Sequence, residues 1–141
     1  MSEILDINNG SLRIGDTILG PQFSLDNFID SKLYGEIIRE DKNAFSRYFL
    51  KPQPLKEAFW SIALYFNEKR FLSMITMSIL DSNNFTSWET WSENAQVDKK
   101  AKHDSWLLKS FGPPPYKFRW GEISSQFDPR SASSYITVRY P

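Results

Sequence analysis

The sequence predicts an α+β domain: a curved, mainly antiparallel sheet of about five to seven strands, with one long helix packed on one face and a short helix after the first hairpin. Three observations predict it. Glu57 to Phe66 alternates along a strand, and the polar turn Asn67-Glu68-Lys69-Arg70 sends Phe71 to Leu80 back antiparallel. A helical stretch then runs from Trp88 to Phe111 and stops at Gly112-Pro113-Pro114-Pro115. Finally, hairpin signals stand at both ends of the chain. Residues 1–141 carry no linker, repeat or low-complexity segment, so they are read as a single domain.

Glu3 to Ile7 and Ser11 to Leu19 flank Asn8-Asn9-Gly10, and Asn-Gly is the strongest short hairpin signal. Gly20-Pro21 breaks the second strand. Ser24 is placed to cap a short helix over Leu25 to Ser31, with Leu25, Phe28 and Ile29 on one side. Residues 32–43 are polar and give no clear pattern. Ala44 to Leu50 reads as a strand ended by Pro52 and Pro54. In Glu57 to Phe66, Trp60, Ile62, Leu64 and Phe66 share one face, and Phe59, Ala63 and Tyr65 share the other. A strand apolar on both faces is expected at the centre of its sheet. Thr86 and Glu89 have capping-box spacing before the long helix. Projected at ~100° per residue, Val97, Ala101, Leu108 and Phe111 form its apolar stripe, with Asp104 in the middle. Trp88, Ala95 and Trp106 fall opposite, with Trp91 between. Tyr116 to Gln126 and Ser134 to Tyr140 close the chain as a hairpin around Asp128-Pro129-Arg130-Ser131.

Composition narrows the function classes. The chain has no Cys, which excludes disulfides and thiol chemistry and fits a reducing compartment. Its N-terminus lacks a basic start and apolar run, and no stretch nears the roughly 20 apolar residues of a membrane span. A cytoplasmic location is therefore expected. Lys+Arg and Asp+Glu are both 17, so the basic excess of a dedicated nucleic-acid binder is missing. Aromatics reach 16 %, enough for a heavy core or a sticky surface.

The motifs of chemistry are sparse. His103 is the only histidine, and Asp104 projects ~100° away from it on the helix, so the pair cannot act as a triad does. His103 is read as a surface or helix-packing residue. There is no zinc spacing, no phosphate-cradling glycine loop and no complete calcium loop, so no metal or cofactor is expected. Tyr116-Lys117-Phe118-Arg119-Trp120 interleaves rings and cations, as single-strand nucleic-acid binders do. With zero net charge it reads better as a core face backed by a solvated one. Asp104 is the sharpest conflict, because a carboxylate in an apolar stripe needs donors. Arg119, Ser124, Ser125 and Arg130 could supply them, which makes Asp104 a structural tie between the helix and the C-terminal hairpin.

From Trp88 onward the pattern becomes distinctive: Trp88-x-x-Trp91-Ser92-Glu93, Lys99-Lys100, His103-Asp104-x-Trp106-Leu107, Gly112-Pro113-Pro114-Pro115-Tyr116-x-Phe118-x-Trp120-Gly121, and Ser124-Ser125-x-Phe127-Asp128-Pro129-Arg130-Ser131. Over residues 86–140 this resembles a group of small bacterial proteins loosely associated with immunity proteins of polymorphic toxins. The resemblance implies a cytoplasmic bacterial binding protein, without catalytic residues or cofactor, that blocks a cognate toxin by direct contact. Trp88, Trp91 and Trp106 are candidate contact rings on the second helix face. Glu36, Glu40, Asp41 and Asp81 are candidate acidic contacts for a basic toxin surface, since charge complementarity selects such pairings. Two other functions stay open: a small enzyme with a carboxylate-based site, and a single-strand nucleic-acid binder using residues 116–120.

Overall fold

The computed structural model describes residues 5–6, 8–41, 46–55, 58–80, 93–128 and 133–140. Strands β1 (Leu5–Asp6), β2 (Ser11–Ile14) and β3 (Thr17–Leu19) form an antiparallel three-stranded sheet. Gly10, at φ 75°, turns β1 into β2. The stretch Ser11 to Leu19 is two strands rather than one, because Gly15 at φ 58° makes a second tight turn before Asp16. Helix α1 (Leu25–Ile29) begins where Ser24 Oγ accepts from the Asn27 amide at 3.1 Å. A 3-10 turn, Lys32–Glu36, leads into β4 (Ile37–Asp41).

Then come β5 (Ser46–Leu50), β6 (Gln53–Leu55), β7 (Ala58–Phe66), β8 (Leu72–Leu80), helix α2 (Glu93–Phe111), β9 (Tyr116–Phe118), β10 (Gly121–Asp128) and β11 (Ser133–Arg139). The main sheet is open and antiparallel, in the order β4-β5-β7-β8-β11-β10-β9, with β6 pairing β7 beyond the end of β5. Thus the α+β class holds, but five to seven strands is an undercount: among the described residues, eleven strands lie in two sheets. The polar segment 37–41 is an edge strand, which needs no apolar face. Pairing resumes after Pro52, and the turn at Arg119-Trp120 divides Tyr116 to Gln126.

Strand β7 is central, paired by β8 on one side and by β5 and β6 on the other. Its two faces differ. Trp60, Ile62, Leu64 and Phe66 are buried, together with Ile75, Met77, Ile136 and Val138 across the sheet. Their cover is the small sheet, α1 and α2. Phe28 of α1 packs on Tyr48 and Phe66, with ring centroids 5.2 and 5.6 Å away. The small sheet docks through Gly10: Tyr140 Oη donates to its carbonyl at 2.6 Å, and the Trp120 ring lies where a Cβ would be.

Helix α2 sits rotated from the predicted stripe. His103 and Leu107 are buried, Trp106 and Phe111 are half-buried, and Ala101, Asp104 and Leu108 are exposed. The inward rows are i, i+4 steps through His103, Leu107 and Phe111. His103 stacks on Trp60 at 5.7 Å, and its Nε2 accepts from the Ile79 amide at 2.9 Å. Ile79 pairs with Trp60 of β7 but lies beyond Met77, the last residue of β8 in register with β11, and the imidazole accepts its amide there. The expected capping box, Thr86 and Glu89, lies outside the described residues, as do Trp88 and Trp91.

Candidate functional site

The uncovered face of the main sheet is the broadest candidate surface. Antiparallel residues directly opposite each other point to the same side. The register therefore aligns one row across seven strands: Asp41, Arg47, Tyr65, Met74, Arg139, Glu122 and Lys117. The next row is Arg39, Phe49, Ala63, Thr76, Thr137 and Ser124. Its middle is small side chains, of which Ala63 and Thr137 are buried, so it forms the floor of a trough beside a ridge of long ones. Beyond it lie Ser61 and Ser78, then Phe59, which is 56 % exposed. No described helix or strand packs over these rows.

Rings hold the arginines in place. The Arg39 guanidinium lies 4.7 Å from the Phe49 centroid, and Arg47 lies 5.1 Å from Phe49 and 5.5 Å from Tyr65. Arg47 also pairs with Asp41 at 2.6 Å. Tyr65, and secondarily Asp41, raise the Arg47 pKa against the opposing effect of burial. Arg139 approaches Met74 Sδ at 3.9 Å and Glu122 at 4.0 Å, a long ion pair.

A second candidate is a groove of about 550 Å³ between α2 and β10, lined by Asp104, Leu107, Leu108, Tyr116, Ile123 and Ser125 among others. Asp104 is half-exposed there and pairs with Lys100 of its own helix at 2.9 Å. Partial burial works against its ionisation, but Ser125 and Lys100 outweigh that and lower its pKa. Ser125 favours the ionised carboxylate from β10, although its buried hydroxyl has no partner of good hydrogen-bond geometry among the described residues. A general acid needs a raised carboxylate pKa, so Asp104 is not set up as one.

The remaining predicted residues are placed as follows. Glu36 pairs with Lys51 at 2.8 Å and Asp41 with Arg47, so these carboxylates are matched within the fold rather than offered to a basic partner. Glu40 is exposed on the edge strand β4, and Asp81 lies outside the described residues. Trp106 is not on an outer aromatic face. Its ring packs on Trp60 at 5.1 Å and Phe111 at 5.9 Å. Of the residues expected to tie Asp104 to the C-terminal segment, Ser125 lies beside the carboxylate and favours its ionised form, and Lys100 of the same helix adds an ion pair at 2.9 Å. Arg119 is exposed in the β9–β10 turn, Ser124 Oγ accepts from Gln126 at 3.0 Å, and Arg130 lies outside the described residues. Tyr116 and Trp120 are buried, with Phe118 stacked on Trp120 at 5.1 Å, so these rings form internal contacts. The open-face rows were missed because their signal is cross-strand register, which a single strand's pattern does not carry.

No protein-family model matches the chain, and no curated protein matches it. Among solved structures, the fold is similar to a chain of "Rhs1-CT in complex with cognate immunity protein RhsI1". The TM-score is 0.62 at 15 % identity, covering 96 % of this chain and 85 % of that one. At that identity the likeness is one of fold. Among the described residues, no helix is long and apolar enough to cross a membrane.

Proposed function

We propose that this chain is the immunity half of a toxin–immunity pair, a bacterial cytoplasmic protein that neutralises a cognate toxin domain by direct contact and without catalysis. The observation that carries the reading is the fold likeness, across nearly the whole chain, to a chain of a toxin–immunity complex. The resemblance of residues 86–140 to toxin-immunity proteins points to the same half of such a pair. The open sheet face adds a physical reason, because rings and arginines on a flat surface are the residue types enriched at protein interfaces.

Co-expression tests it. A toxin domain encoded immediately upstream of this chain is expected; alone it should arrest growth, and this chain should restore growth and co-elute with it. Growth arrest by this chain alone would make it the toxic half and overturn the reading. So would a toxin domain that it neither binds nor blocks.

A further inference from the structure

Resting on that reading, we infer that the partner docks on the open face of the main sheet, and that it does so with an acidic surface. The sign follows from counting what the face already neutralises. Along the two rows, the cations are Arg39, Arg47, Arg139 and Lys117, and the carboxylates are Asp41 and Glu122. Asp41 is taken by Arg47 at 2.6 Å, and Glu122 sits between Arg139 at 4.0 Å and its cross-strand neighbour Lys117. Arg39 makes no ion pair among the described residues and rests only on the Phe49 ring. These two rows therefore carry uncompensated positive charge at both ends. This is opposite in sign to the acidic residues that the sequence singled out, two of which are spent on internal pairs.

Shape and order favour the same surface. The trough of Ala63, Thr76 and Thr137 runs beside the ridge of Tyr65, Met74 and Arg139, so a projecting loop or helix can seat between ridge and Phe59. Guanidinium groups already held over rings lose little freedom on binding. Arginine and tyrosine are also the side chains that dominate interface energies. Carboxylates of the partner then reach Arg39 and Arg139 as charge-assisted, two-pronged contacts. The groove at α2 offers a competing surface with an exposed Leu108, but its helix carboxylate Asp104 is already paired with Lys100, and its other charges, Lys117 and Glu122, are shared with the open face.

The test is affinity, measured by calorimetry or surface binding, between this chain and the upstream toxin domain. The variants are Arg39→Glu with Arg139→Glu, and separately Leu108→Glu in the groove. All three positions are exposed, and thermal melts confirm folding. The double variant should weaken binding by about 100-fold or more and slow association, while Leu108→Glu binds as the parent does. Parent affinity should fall as salt rises, and the double variant should lose most of that dependence. If the parent does not bind at all, the toxin-binding reading itself fails. If the parent binds, the double variant binds equally and Leu108→Glu does not, the reading stands and this docking face is wrong. A parent that self-associates in sedimentation, and that Arg39→Glu renders monomeric, would make the occupant a second copy and also overturn it.

Discussion

The two faces of strand β7 lie a single residue apart and do opposite things. Trp60 is 1 % exposed and Phe59 is 56 % exposed. Trp60, Ile62, Leu64 and Phe66 sit under two helices and a small sheet; Phe59, Ser61 and Tyr65 face outward. Apolarity on both faces therefore did not mean cover on both faces. It meant a core on one side and, on the other, a face where Ala63 is buried but Phe59 is exposed. On the proposed reading, stability and recognition are separated across the thickness of one sheet, and this separation can be tested face by face.

The largest effect should come from the covered face. Ile62→Ala or Leu64→Ala should cost ~2–5 kcal/mol in denaturant melts, because each removes a fully buried aliphatic chain. Phe59→Ala, on the same strand, should cost no more than ~1 kcal/mol. Equal losses at the two kinds of position would erase the distinction between the faces.

His103 sharpens the comparison from the helix side. Burial above all, then Lys99, push its pKa down to about 4; Asp104 pulls the other way, and Lys100 adds a smaller push down. The Nε2 acceptor role assigns the proton to Nδ1, which has no hydrogen-bond partner. In the unfolded chain the imidazole takes up a proton near pH 6.5; in the folded chain it does so only near 4. Stability from this group is thus complete above about pH 6.5 and falls as pH drops towards 4, by roughly 3 kcal/mol in total. His103→Gln keeps an acceptor for the Ile79 amide and should flatten that window. A parent protein whose stability stays constant from pH 6.5 to 4 would mean His103 is not buried in neutral form.

Gly10 tests the cover itself. At φ 75° with Trp120 against its α-carbon, Gly10→Ala combines backbone strain with a clash. A loss of about 1–3 kcal/mol is expected, with faster hydrogen exchange in β1–β3 than in β7. Uniform exchange in the variant would show that the small sheet does not open separately.

Much of this architecture was legible. The Asn-Gly turn, the Ser24 cap, the β7–β8 hairpin and the Gly112 helix stop are local signals, and each depends on chemistry within a few residues. What was not legible depended on distant partners. β4 reads as polar because it is an edge. Glu36 and Asp41 read as free acids because Lys51 and Arg47 are brought beside them only by the fold. The ridge and trough exist only in the cross-strand register. The helix was misoriented for a related reason: His103 was counted as polar, which removed it from the true inward row with Leu107 and Phe111. A neutral imidazole accepting a backbone N–H is compatible with burial, and ranking by hydropathy alone cannot anticipate the amide that makes it so.

Asp104 carries the smallest expected effect and the most direct check on that rotation. Had it pointed at the sheet, its loss would have stranded buried donors and cost ~1–3 kcal/mol. Instead its side chain is 50 % exposed at the groove rim, and its hydrogen bond comes from Lys100, four residues earlier on the same helix. Pairs of this kind contribute about 0.3–0.5 kcal/mol when exposed. Asp104→Ala should therefore shift stability by less than about 0.5 kcal/mol near neutral pH. The sign of its pH dependence is fixed by the lowered folded pKa: the small contribution is present above the unfolded value of 3.8 and disappears as pH falls through the folded one. Ser125→Ala, which removes the other group favouring the carboxylate, should weaken that dependence without exposing the core. A loss above ~1 kcal/mol for Asp104→Ala at neutral pH would return the carboxylate to the helix–sheet interface and put His103 outside it.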